Sequence, residues 1–225
     1  TIPIYKVLCD DIGDEIDFNA IVDAPAHSKA FVLMDKQSKV KQYFNEDKQI
    51  VTGVAIATDV PIYRNDPKRG EYYLYFSEEE TFKLAQRMFE RGYIHNVNEM
   101  HDSNKPIKDM VLVESYFVSD EHPAPEAFKG QNLKNGSWIV SYKVKDAATW
   151  AGLRSGRFTG FSVEGWFTLV KQNFNNQNKN KTEMKKSFYQ NIKEALSGAQ
   201  PEKFGEAVTT DNATVVWTGE LAEGI

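Results

Sequence analysis

The sequence predicts a strand-rich α+β domain with a tethered tail. Three observations predict it. Short apolar runs with two-residue alternation, set apart by turn residues, dominate residues 1 to 170. Two stretches within them switch to helical spacing and carry start and stop signals. After them, "KQNFNNQNKNK" (171 to 181) holds almost nothing that could bury a face.

The first strands are expected in "IPIYKVLC", "DFNAIVDAPA", "KAFVLMD" and "IVTGVAIATDVPIYR", with Pro25, Gly53 and Pro61 as punctuation. "YYLYF" (72 to 76) follows as another. Ser77 and Glu80 have the spacing of a capping box, and Glu78, Glu79 and Glu80 suit the positive end of a helix dipole. Phe82, Ala85, Met88 and Phe89 then form the expected apolar stripe, and Gly92 ends the helix. "MVLVESYFV" (110 to 118) reads as an apolar strand interrupted by Glu114, and "GSWIVSYKV" (136 to 144) as an alternating one. Asp146 can cap a short helix, "AATWAGLRS", closed by Gly156.

"GRFTGFSVEGWFTL" (156 to 169) is the next strand. Alternation puts Thr159, Phe161, Val163, Gly165, Phe167 and Leu169 on one face. Gly160, Ser162, Glu164 and Trp166 take the other. Beyond the tether, Thr182 can cap a helix striped by Met184, Phe188, Ile192, Ala195 and Leu196. "AVTTDNATVVW" suggests a hairpin around Asp211 and Asn212. The organisation expected is a body at 1–170, a linker at 171–183 and an appendage at 184–225.

Composition narrows the function. The 225 residues are 41% apolar, enough for a sizeable core, and the net charge is −5. That balance argues against nucleic-acid binding by bulk electrostatics. Cys9 is the single cysteine, so no internal disulfide can form and a reducing compartment fits. No run approaches the roughly eighteen apolar residues of a membrane span. The start, "TIPIYKVLCDD", has no signal-peptide pattern and no Met, which suits a trimmed or processed chain. No cofactor is expected.

Ser162 is either an ordinary Ser on a half-wet sheet or a nucleophile on a rigid floor. The second reading needs a base, because a free hydroxyl is barely ionised at neutral pH. His101 has the near-neutral pKa for that task; its plain alternative is a solvated turn residue. If 93 to 101 is extended, Tyr93, His95, Val97, Glu99 and His101 share a face. Glu114 needs a partner on its apolar strand, either a cation or a histidine that it orients. Backbone near "RSGRF", or the Arg154 or Arg157 guanidinium, can donate to an oxyanion. His95, Glu99, His101 and Asp102 form a competing set of zinc-type donors, although their spacing matches no strong motif. The G-x-S-x-G, H-E-x-x-H, C-x-x-C and P-loop signatures are absent.

"NVNEMHDSNKPIKDMVLVESYFVSDE" followed by "GSWIVSYKVKDAATWAGLRSGRFTGFSVEGWF", with "IVDAPAHSKAF" upstream, resembles the XkdF-type serine proteases of tailed phages. Those are similar to prohead maturation proteases and to herpesvirus assemblins. The resemblance covers residues 15 to 170. It implies a β-barrel-like core with flanking helices and a serine endopeptidase that processes capsid and scaffold precursors, and itself, during head maturation. The setting implied is the phage prohead in the host bacterial cytoplasm; the charge balance and the apolar run lengths above already set aside a nucleic-acid or membrane partner. A homo-oligomer stays open.

Carried over, Ser162 matches the nucleophile and His101 the base. Assemblins use a second His after the serine, and none follows Ser162 here. Glu114 is assigned that third role. Asp17 or Asp23 would substitute if the strand order is permuted. The tail would tie the enzyme to scaffold or shell. The competing expectation is a structural virion protein that keeps the fold without the chemistry.

Overall fold

A computed structural model describes residues 2–9, 13–23, 32–33, 48–128, 131, 133–172, 208–209 and 214–216. Thirteen strands and two helices are assigned there. In chain order the strands are β1 Ile4–Leu8, β2 Glu15–Val22, β3 Val32–Leu33, β4 Ile50–Ile56, β5 Ile62–Asp66 and β6 Gly70–Tyr75. Then come β7 Val97–Glu99, β8 Asp102–Pro106, β9 Met110–Phe117, β10 Trp138–Val144, β11 Gly160–Lys171, β12 Val208–Thr209 and β13 Thr214–Val216. The helices are α1 Glu78–Glu90 and α2 Ala147–Ser155.

The strands make two open sheets. One runs β5-β6-β1-β11-β2-β7-β8, with β13 pairing β11 and β12 pairing β13; the other runs β3-β4-β10-β9. Neither closes, so the expected barrel-like α+β core is not what forms. The protein is mainly β. The two sheets cover each other's apolar faces, and burial is achieved without curling either into a barrel. Val51, Val140 and Tyr142 of the smaller sheet share one core with Val7, Ile16, Phe161, Val163 and Phe167 of the larger. The Tyr142 and Phe161 rings lie 5.3 Å apart across that boundary.

β11 is the axis of the larger sheet. Its first half pairs antiparallel with β2, and its second half pairs antiparallel with β1. Between the halves the register with β2 slips. Glu164 faces Phe18 and Gly165 faces Ile16, so Asp17 is the extra residue of a β-bulge. Gly165 is required there, because a Cβ would sit 1.9 Å from the Glu15 carbonyl oxygen.

The helices hold two lessons. Asp146 caps α2 as expected, its Oδ2 accepting from the Thr149 amide at 2.6 Å, and Gly156 ends it at φ 78°. At α1 the capping box does not form. Ser77 takes cap geometry without a side-chain bond. Glu80 instead accepts from the Cys9 amide at 2.7 Å and meets Lys6 and Lys83 at 3.6 and 3.3 Å. Leu84, Ala85 and Met88 are buried, while Phe82 and Phe89 are exposed.

Residues 93 to 101 are not one strand. Tyr93–His95 is a 3₁₀ turn, β7 follows, and Met100 and His101 form a turn. The tether beyond Gln172 and the helix expected after Thr182 lie outside the described residues. The two strands of the C-terminal hairpin, β12 and β13, pair antiparallel.

Candidate active site

Ser162 on β11 pairs with Ala20 on β2, and Ala20 pairs with Asn98 on β7. The three lie in one row across the larger sheet, on the face away from the Phe161–Val163 core. The row is nonetheless covered: Ser162 is 1% exposed, and Ala20 and Asn98 are buried. The Ser162 Oγ has no hydrogen-bond partner among the described residues.

His101 arrives by an unusual turn. Glu99 and Asp102 flank a two-residue loop in which Met100 (φ 55°) and His101 (φ 60°) are both left-handed. This backbone normally selects Asn and Gly. The turn carries His101 back over the sheet, and its side chain is fully covered. Nδ1 lies 3.5 Å from Glu164 Oε2. The same oxygen accepts from Asn98 Nδ2 at 3.1 Å. The imidazole and the carboxylate are thus neighbours, and Ser162 lies two residues from the carboxylate on the same face of β11.

The Asp17 bulge adds a second acid. Burial pushes its carboxyl up to about 6, aided by the charges of Glu15 and Glu164. The Glu15 charge is itself tied to Arg91.

The remaining sequence candidates sit elsewhere. Glu114 is on β9 of the smaller sheet, opposite Ser141, whose Oγ donates to it at 2.7 Å; Thr52 Oγ1 is 2.9 Å from that hydroxyl. Arg157 pairs with Glu99 and stacks over the Phe158 ring, while Arg154 is exposed at the end of α2. The Asp23 carbonyl accepts from the Thr159 hydroxyl. His95 Nδ1 accepts from the Leu112 amide at 3.4 Å, apart from His101. Among the described residues no group of three His, Cys, Asp or Glu side chains is placed to hold a metal ion.

Glu164 and Asn98, which contact each other beside His101, were not among the sequence candidates. Alternation does set Glu164 on the Ser162 face, so its signal was present. Asn98 had none, because its place in the row depends on a parallel pairing between β2 and β7.

Residues 38–170, more than half of the chain, match the family described as "Putative phage serine protease XkdF", and the chain belongs to that family. A relative in Bacillus subtilis (strain 168), described as "Uncharacterized protein YqbD", is 22% identical over 205 residues. That match covers 88% of this chain and 58% of the relative, so the chain spans little more than half of the relative's length. No solved structure matches. Among the described residues no helix is long and apolar enough to cross a membrane.

Proposed function

We propose that this chain is a serine endopeptidase that processes capsid and scaffold precursors as a phage head matures, with Ser162 as nucleophile, His101 as base and Glu164 as the acid behind the imidazole. The observation that carries this is the His101 Nδ1 to Glu164 Oε2 approach of 3.5 Å on the face that holds Ser162. With Nδ1 turned to a carboxylate, Nε2 is the ring nitrogen that would take the serine proton. Ser162 Oγ attacks the scissile carbonyl, and His101 takes the hydroxyl proton and returns it to the leaving amine. Water then releases the acyl group from Ser162, the imidazole again taking and returning a proton. Glu164 stabilises the imidazolium at both stages. Asn98 holds Glu164 by its amide. Phage-family membership favours the prohead, within the host cell, as the place of action.

One observation favours a second reading. Ser162 and His101 are 1% and 2% exposed, so a peptide reaches Oγ only after the cover moves. A virion protein that keeps the fold without turnover would show the same burial. Ser162→Ala separates the two. Co-expressed with its capsid and scaffold precursors, the variant should leave them uncut with its circular dichroism unchanged. Normal processing by that variant would remove Ser162 from the mechanism. Hundreds of uncleaving copies in mature particles would favour the structural role.

A further inference from the structure

The far side of the larger sheet buries a charge that proteolysis does not use. Arg64 on β5 stands directly across from Tyr72 on β6, with two strands between β5 and β11. Arg64 and Tyr72 are both 0% exposed, and so are Ile62 and Leu74 on the same strands. One guanidinium nitrogen is used: Nη1 donates to the Tyr63 carbonyl at 2.7 Å. Nε and Nη2 donate to nothing among the described residues. Burial lowers this guanidinium to about 10, so it still carries its charge at neutral pH.

The carboxylate two residues along is engaged elsewhere. Asp66 Oδ1 accepts from the Lys68 and Arg69 amides at 2.9 and 2.7 Å, and Oδ2 lies 3.4 Å from Arg69 Nη1. Arg69 also lies over the Tyr72 ring at 5.9 Å, beside the turn that joins β5 to β6. A buried cation without a counter-ion is costly, and native folds pair such groups.

We propose that Arg64 is a carboxylate-binding site, taking the two oxygens of one carboxylate on its Nε and Nη2 fork at the β5–β6 end of the sheet. The two idle donors are adjacent and parallel, which is the geometry a planar carboxylate matches with both oxygens. Charge selects the same ligand: a monoanion neutralises one guanidinium, whereas a dianion such as phosphate leaves net charge in a dry setting. The carboxylate comes either from a small free acid or from the C-terminus of a peptide. The site is independent of the Ser162 chemistry.

Thermal unfolding of the whole chain tests this at constant ionic strength, with sodium acetate, inorganic phosphate, and acetyl-tetraalanine as its free acid or its amide. A fitting carboxylate should raise Tm by about 3–6 °C at about ten times its Kd. A rise with acetate identifies a small acid; a rise only with the free-acid peptide identifies a C-terminus. Arg64→Met keeps the stem and removes the fork, and its Tm should not respond. Arg64→Lys keeps the charge as a point and should weaken the response about tenfold or more. Should Arg64→Met fail to fold, Arg64→Lys alone decides the matter. No response of the wild type to either carboxylate, a response to phosphate alone, or equal responses in wild type and variants would overturn the proposal.

Discussion

In the proposed mechanism Glu164 decides whether the Ser162 patch can do chemistry. A carboxylate beside Nδ1 fixes the imidazole tautomer and stabilises the imidazolium, and losing such a partner costs proteases orders of magnitude in rate. Glu164→Gln should therefore lower cleavage by about 10²–10⁴-fold with little change in fold. Glu114→Gln, altered in the other sheet, should cleave within about threefold of wild type, a ratio far below one tenfold step of barrier. Equal losses in both variants would discredit the assignment of Glu164. Asp17 offers a test of the same patch through pH. Its folded pKa, pushed up to about 6, lies above the ordinary value of 3.8. The folded state therefore holds a proton that the unfolded chain has lost, and stability falls as pH rises through that window. Asp17→Asn should raise stability at pH 8 by about 1 kcal/mol, after allowing for solvent screening of a half-exposed group, and by almost nothing at pH 4. A gain of the same size at both pH values would refute the electrostatic origin.

At the scale of the element, local signals were legible and tertiary competition was not. Asp146 and Gly156 mark α2 by chain-local rules, and the helix forms between them. Ser77 and Glu80 obey the same grammar, but Glu80 is drawn to the Cys9 amide seventy-one residues away and to two lysines. No chain-local rule contains that contact. The alternation that placed Phe161 and Val163 inward on β11 held because a pleat has one geometry. His101 was a candidate by its chemistry alone, and its placement by a left-handed Met-His turn runs against turn preferences. The helix makes a measurable contrast. Ser77→Ala should change stability by less than about 0.5 kcal/mol, half of what a working cap is worth. Glu80→Ala should cost about 1–3 kcal/mol, because it leaves the Cys9 amide buried without an acceptor. Chemical denaturation of the two variants reads the difference, and equal costs would mean that Ser77 caps α1 in solution.

At the scale of the molecule, strand-rich composition and the position of most strands could be read from the chain, but closure could not. Whether a sheet curls into a barrel or lies against a partner depends on pairings between distant strands, such as β1 with β6 and β2 with β7, both parallel. Two open sheets over a common core make a further demand on cooperativity. Phe161 belongs to the larger sheet and packs in a tilted ring contact on Tyr142 of the smaller, whose hydroxyl donates to the Ile94 carbonyl at 3.1 Å and lies 3.5 Å from Asn19 Nδ2. Neither sheet can lose this layer alone without exposing the other. Phe161→Ala should therefore destabilise the whole chain by about 3–5 kcal/mol. Trp138 is buried in the smaller sheet and Trp166 lies on β11, so single-tryptophan versions report each sheet by fluorescence. Both reporters should shift to the same lower denaturant midpoint in the Phe161→Ala background, with the far-ultraviolet dichroism. If the Trp138 midpoint stayed at its wild-type value while the Trp166 midpoint fell, the two sheets would be separate folding units, and the shared core would not be what holds the Ser162 face in place.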